Sequence, residues 1–176
     1  NEHLLSPTKE GNALHATLEA WGYQDGEKLN QDLVLKVLRQ QDLAPHECTL
    51  EVAQNILHLA RLAMAQRPEL VADLRSASER GEVYHEIPFR YRNEEGEMMK
   101  GIIDLLWHDP DGWHILDYKA GRKAVDCEAP LTSLNMMEHY AQVCCYADAV
   151  LSLTGEKPVD YGIWYTSYGL VVRWRG

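Results

Sequence analysis

The sequence predicts an α/β fold in which a helical segment precedes a sheet, and three observations carry that prediction. Apolar residues recur at helical spacing through the first 80 residues. From Gly81 the period shortens to two over three successive runs, the alternation of half-buried strands. A long helical stretch and two more strand-like runs follow, so the expected core is a central mixed sheet of about five strands flanked by helices.

Each element has a local reason. Residues 8–21 (TKEGNALHATLEAW) place Leu14, Leu18 and Trp21 on one helical stripe with His15 beside it. Residues 31–40, 49–66 and 68–80 also look helical, the last opening with Pro68, whose fixed φ and missing N–H suit a first turn. The runs EVYHEIPFRYR, EMMKGIIDLLWH and WHILDYKA are divided by Asn93-Glu94-Glu95-Gly96 and by Asp109-Pro110-Asp111-Gly112, and read as a three-stranded meander. A helix is expected over 132–153, with Met136, Met137 and Tyr140 turned to the core. VDYGIWYT and GLVVRWR then close the sheet, with Trp164, Tyr165, Tyr168 and Trp174 packing on it. There is no internal repeat or low-complexity tract.

With 176 residues and 45% hydrophobic content, the expected organisation is a single domain, with helical residues 1–80 leading into a sheet core over 81–176. The net charge of −10 opposes free capture of a polyanion and is the main argument against a nucleic-acid substrate. Metal-binding carboxylates would account for some of that charge, and a partner domain could deliver a strand. Asn1-Glu2-His3-Leu4-Leu5 lacks the basic and apolar regions of an export signal, and no apolar run reaches the ~20 residues of a membrane span, so a soluble chain without membrane contact is expected. Cys48, Cys127, Cys144 and Cys145 show no Cys-x-x-Cys spacing, which argues against zinc or iron-sulfur ligation and for free thiols in a reducing cytoplasm.

The Asp-Pro-Asp-Gly turn works as a ruler. With Asp109 facing Gly112, or His108 facing Trp113, paired residue numbers add up to 221, and Asp104 falls opposite Asp117. Directly opposed side chains have Cβ atoms about 4.5–5.5 Å apart, and Lys119 shares the face of Asp117. Two carboxylates so close are costly unless a cation lies between them. Mg²⁺ takes oxygen ligands from one or two carboxylates, with water and phosphate completing its shell. Two carboxylates and a lysine in this arrangement point to metal-assisted phosphodiester hydrolysis. If Glu94-Glu95-Gly96 is the loop of the first hairpin, its paired numbers add up to 190 and Glu86 completes a row with Asp104 and Asp117; a four-residue loop would put His85 there instead.

Four segments in this order, GNALHATLE, GIIDLL, LDYKAG and HYAQVCCYADAV, resemble the nuclease domain of RecB and AddA, within the PD-(D/E)xK nuclease superfamily. Asp-x-Lys alone is a weak signal; its combination with Gly-x-x-Asp, the turn and a following Gln-x-x-x-Tyr helix is specific. The resemblance covers most of the chain and implies a restriction-endonuclease-like core. By motif position it makes His15, Asp104 and Asp117 ligands of Mg²⁺ or Mn²⁺, the backbone carbonyl of Tyr118 a further ligand, and Lys119 the catalytic lysine. Gln142 and Tyr146 match a pair that lies beside the site and the DNA, although at i and i+4 they could equally pack on one helix face. Glu86 could pair with a lysine or hold a water of the outer shell. Arg122 and Lys123 follow the catalytic strand closely enough to touch phosphate.

The resemblance further implies an exonuclease-type enzyme of double-strand break repair and recombination in the bacterial cytoplasm, near the nucleoid. Its DNA, a single strand or an end, would be delivered by a helicase motor in cis or by a separate protein in trans. Relatives with an iron-sulfur cluster carry cysteine spacings that are missing here, and without a Gly-rich phosphate loop no nucleotide is expected in this chain, which reads as a piece of a larger helicase-nuclease. Two other readings stay open: a catalytically inactive module that binds DNA or a partner, and a structure-specific endonuclease of the same superfamily.

Overall fold

The computed structural model describes residues 4–120, 134–167 and 169–176, with the backbone alone at 134–136. The chain divides into two compact units, Asn1–Arg80 and Gly81–Gly176. The first unit is helical: α1 (Pro7–Trp21), α2 (Gln31–Gln40), α3 (Leu50–Gln66) and α4 (Pro68–Glu79). Side-chain caps set where three of these helices begin. Ser6, Asn30 and Thr49 accept the N–H groups of Lys9, Leu33 and Val52, each satisfying a donor that the first turn leaves without a partner. Pro68 opens α4. Leu18, Leu38, Ile56 and Leu74 are fully buried and belong to this unit's core.

The second unit contains β1 (Val83–Arg92), β2 (Met98–Asp109), β3 (Gly112–Lys119), α5 (Leu134–Thr154), β4 (Asp160–Tyr165) and β5 (Leu170–Arg175). The strands lie in chain order, antiparallel except for β3 against β4. Only that parallel pair needs a crossover, and α5 lies on it. This is the mixed five-stranded α/β architecture that the residue pattern predicts. Ile103, Ile115 and Ile163 of the sheet pack against Val143, Tyr146 and Val150 of α5. Trp164 and Tyr165 are buried as expected, whereas Met137 is 64% exposed and Tyr140 is also exposed, so the start of α5 turns them away from the core. Tyr140 packs on the Trp174 ring instead. The side chain of Met136, and Tyr168 altogether, lie outside the described residues.

Both turns set the expected registers. Pairs between β1 and β2 run from Val83 with Trp107 to Arg92 with Met98, and pairs between β2 and β3 from Leu105 with Leu116 to Asp109 with Gly112. At the second turn, Asp109 Oδ1 accepts the N–H groups of Asp111 and Gly112 at 2.8 and 3.2 Å. Its Oδ2 lies 2.8 Å from His114 Nε2, while His114 Nδ1 lies 2.9 Å from Asp160 Oδ1. Arg173 Nη2 donates to Asp160 Oδ2 at 2.7 Å, and its guanidinium stands 5.6 Å from the Trp107 ring, which stacks on His114. Burial works against charge on His114, but Asp160 and Asp109 outweigh it and raise its pKa.

Candidate active site

The β2–β3 ladder stops one pair short of the aspartates. Leu105 pairs with Leu116, but Asp104 and Asp117 do not form the next ladder pair. Instead, Asp104 Oδ2 accepts the backbone N–H of Tyr118 at 3.0 Å. A side chain has taken a ladder donor, so the strands part and the two carboxylates stand at the mouth of the hairpin. In a strand, the N–H and C=O of one residue point to the same neighbour; the Tyr118 carbonyl therefore points toward the same gap as Asp104.

Asp117 is only 2% exposed. Lys119 Nζ lies 2.9 Å from its Oδ2, yet the approach is off the hydrogen-bonding direction and that oxygen accepts no hydrogen bond. The Asp104 pKa is pushed up to about 8, first by burial and then by the facing Asp117, against the pull of the Tyr118 N–H and the Lys119 charge. The pair is thus a buried, electrostatically unfavourable arrangement in which one carboxylate keeps a proton well above the usual carboxylate range.

A cleft of about 460 Å³ opens over this pair and is also lined by Lys119, Gln142, Tyr146 and Lys100. Gln142 Nε2 donates to the Tyr146 hydroxyl at 2.8 Å, and burial followed by the charges of Asp117 and Asp104 raises the Tyr146 pKa, so its hydroxyl stays protonated. Phe89 meets Tyr146 edge to face. Gly101, directly opposite Phe89 on β2, makes this possible, because a Cβ there would come 2.8 Å from Phe89 Cζ.

Glu86 departs from the expected row. Its φ is 48°, it drops out of the ladder between His85 and Ile87, and its exposed side chain does not line the cleft. The left-handed residue interrupts strand alternation. Across from it, β2 sends both Ile103 and Leu106 into the cluster against α5, three residues apart, which a period of two does not allow. His15 lies half-buried on α1 in the first unit. Among the described residues, no three His, Cys, Asp or Glu side chains converge on a metal position. Arg122 and Lys123 lie outside the described residues.

Two residues near the site were not singled out from the sequence. Lys100 is a second cation in the cleft lining. His139 precedes Gln142 and Tyr146 by three and seven positions, the spacing of one helical stripe. Its Nδ1 lies 3.0 Å from the Tyr165 hydroxyl, and its pKa is lowered by burial and then by the Lys119 charge.

The donor chemistry suits a hard divalent cation. Oxygen donors converge, one of them is buried without a hydrogen bond, and the pair's mutual repulsion would be relieved by positive charge. A five-stranded sheet that parts at two aspartates, with Asp-x-Lys on one strand and a Gln-x-x-x-Tyr helix across the cleft, defines a nuclease class. Residues 1–170 match the family described as the PD-(D/E)XK nuclease superfamily, and the chain belongs to it. The chain is similar to proteins named as the A subunits of ATP-dependent helicase/nucleases. It is 25% identical to that of Clostridium novyi over 94% of this chain and 14% of the relative, and 28% identical to that of Desulforamulus reducens over 96% and 14%. The protein of the same name from Carboxydothermus hydrogenoformans is 29% identical over 52% of this chain and 9% of its own length. The chain therefore spans about one seventh of the length of the relatives it matches from end to end.

Proposed function

We propose that the chain is a metal-dependent DNA nuclease domain working beside a helicase motor, with Asp104 and Asp117 holding Mg²⁺ or Mn²⁺. The observation that carries this reading is the buried Asp117 oxygen that accepts no hydrogen bond beside a second carboxylate. When bound, the cation would neutralise that pair, polarise a phosphoryl oxygen and lower the pKa of a bound water. The chain's own residues supply the rest. Lys119 brings a positive charge to the cleft, where it can orient the attacking water and stabilise charge developing on the phosphate. Tyr146, protonated and oriented by Gln142, is a hydrogen-bond donor for a phosphate oxygen.

His15 and the Tyr118 carbonyl complete the proposed ligand set. Two features support that role: His15 stands at the family's Gly-x-x-x-His position, and the Tyr118 carbonyl faces the gap beside Asp104. Arg122 and Lys123 are proposed phosphate contacts on the strength of sequence position alone. The names of the relatives, ATP-dependent helicase/nuclease subunits, support a helicase in cis or in trans; the proposed role in DNA break repair in the bacterial cytoplasm rests on the family resemblance of the sequence.

Asp117→Asn and Lys119→Ala, assayed on labelled single-stranded and duplex DNA with Mg²⁺, test the site. We expect cleavage to fall by about a hundredfold or more while the melting temperature holds. Retention of most activity by either variant would remove the assignment. Mn²⁺ titrated into His15→Ala tests the imidazole, since Mn²⁺ gains more than Mg²⁺ from a nitrogen ligand. An affinity equal to wild type would show that His15 is no ligand.

A further inference from the structure

We infer that the exposed face of the β1–β2 ribbon, with the groove at its edge against α5, is a single-stranded DNA track leading to the carboxylate cleft, an inference that rests on the nuclease reading above. β3 pairs with β2 only from Leu105 to Asp109. Beyond it, Ile87–Arg92 and Met98–Ile103 continue as a two-stranded ribbon. Ile87, Phe89, Tyr91 and Ile103 turn one face of that ribbon to the α5 cluster. The opposite face presents Pro88, Arg90, Arg92, Met98, Lys100 and Ile102, all exposed. Among the described residues, three cations and three apolar side chains stand on that face with no acid between them, in a chain whose net charge is −10.

Arg90 lies directly opposite Lys100 in the ladder. Like charges so placed destabilise a sheet, and among the described residues neither has an acidic partner. An anion bound over the pair would relieve that repulsion. A groove of about 640 Å³ runs where the ribbon meets the end of α5; it shares Phe89, Lys100, Gly101 and Ile102 with the carboxylate cleft and adds Pro88 and Arg90 of the ribbon and Leu153 of α5. The route from the cationic pair to the aspartates is thus continuous. Ile102 on the ribbon and Leu153 across the groove on α5, 53% and 58% exposed, offer apolar surface to unstacked bases, while Arg90 and Lys100 meet the phosphates. A single strand presents phosphates and apolar base faces side by side, which matches this mixture; a protein partner would need an acidic surface instead.

The test is the salt dependence of binding of a labelled oligothymidine to the 176-residue chain in EDTA, followed by anisotropy. Each phosphate contact on a single strand contributes about 0.7 to the slope of log affinity against log salt. Arg90→Gln with Lys100→Gln should lower the slope by about 1.4, so that over a tenfold rise in salt the wild type loses about 25-fold more affinity than the variant. Each single variant should lower it by about half as much. Arg90→Lys should keep the wild-type slope, and the same charge removed from α2, by Lys36→Gln with Arg39→Gln, should leave it unchanged. Equal slopes in wild type and double variant, an equal drop in the α2 control, or no wild-type binding would each overturn the track and leave the ribbon face to a protein partner. Cleavage of the same oligonucleotide in Mg²⁺ separates this inference from the function it rests on. A chain that cleaves with a slope insensitive to Arg90 and Lys100 keeps the nuclease reading and loses the track. A chain that does not cleave but shows the drop keeps the track and loses the nuclease reading.

Discussion

At the turn end of β2 and β3, each ring nitrogen of His114 faces a carboxylate, Asp109 on one side and Asp160 on the other, and Arg173 closes the network beyond Asp160. At the open end of the same two strands, Asp104 and Asp117 repel one another and Lys119 compensates only incompletely. Neutral imidazole has one donor and cannot satisfy both carboxylates, so the turn end favours imidazolium. The difference between the ends is one of charge balance. Where two carboxylates meet an imidazolium and a guanidinium, the network ties β2, β3, β4 and β5 together; where two carboxylates share one lysine, a negative excess is left for the proposed cation to neutralise.

The contrast predicts opposite outcomes for similar mutations. Asp117→Asn should abolish measurable cleavage, a loss of about a hundredfold or more, with the metal-free melting temperature unchanged or raised. Asp160→Ala should do the reverse, costing about 2 kcal/mol by stranding His114 and Arg173 while cleavage per folded molecule stays at the wild-type level. Chemical denaturation and a cleavage assay on both variants decide the point. A destabilised Asp117→Asn, or an inactive but stable Asp160→Ala, would break the comparison.

The pH dependence sharpens it. His114 has a raised pKa, so its contribution is complete below the unfolded value of 6.5 and is lost as pH rises through the folded one. Asp109 and Asp160 have lowered pKa values, so theirs is complete above 3.8 and is lost as pH falls through the folded ones. The stability advantage of wild type over His114→Gln should therefore be greatest between 3.8 and 6.5 and shrink at higher pH. Thermal melts across that range measure it, and an advantage that grows at alkaline pH would contradict the imidazolium. At the other end, a metal must displace the Asp104 proton. Affinity for Mn²⁺ should rise with pH up to about 8 and then level off. Calorimetric titrations at several pH values test this, and a flat profile would place the metal elsewhere.

Turn chemistry made the strand registers legible in the sequence, because Gly96 and the Asp109 tetrad fix where each ladder begins. Once the register is set, Asp104, Asp117 and Lys119 follow by parity. Local reversals of that parity were not legible. Nothing in Tyr84-His85-Glu86-Ile87 announces a left-handed Glu86, and the opening of the hairpin at Asp104 depends on a side chain competing with the ladder for the Tyr118 N–H. The His114 network was hidden for another reason: its members come from four strands and are joined only by tertiary packing. His139 was within reach of the helical spacing that marks Gln142 and Tyr146. Its place beside Lys119 and Tyr165 depends on how α5 lies over the sheet.

The proposed chemistry turns on Asp104 and Asp117 being held at a cost in the metal-free protein so that a cation can join them. Calorimetric titration of Mn²⁺ into wild type and Asp117→Asn, with melting temperatures recorded before and after metal, puts that cost to the test. Wild type should bind Mn²⁺ and be stabilised by it. Asp117→Asn should bind far more weakly, yet melt in the absence of metal at or above the wild-type temperature, because the buried carboxylate that opposes ionisation of Asp104 is gone. No binding by wild type, or a metal-free Asp117→Asn that melts well below it, would contradict the cation-joined pair.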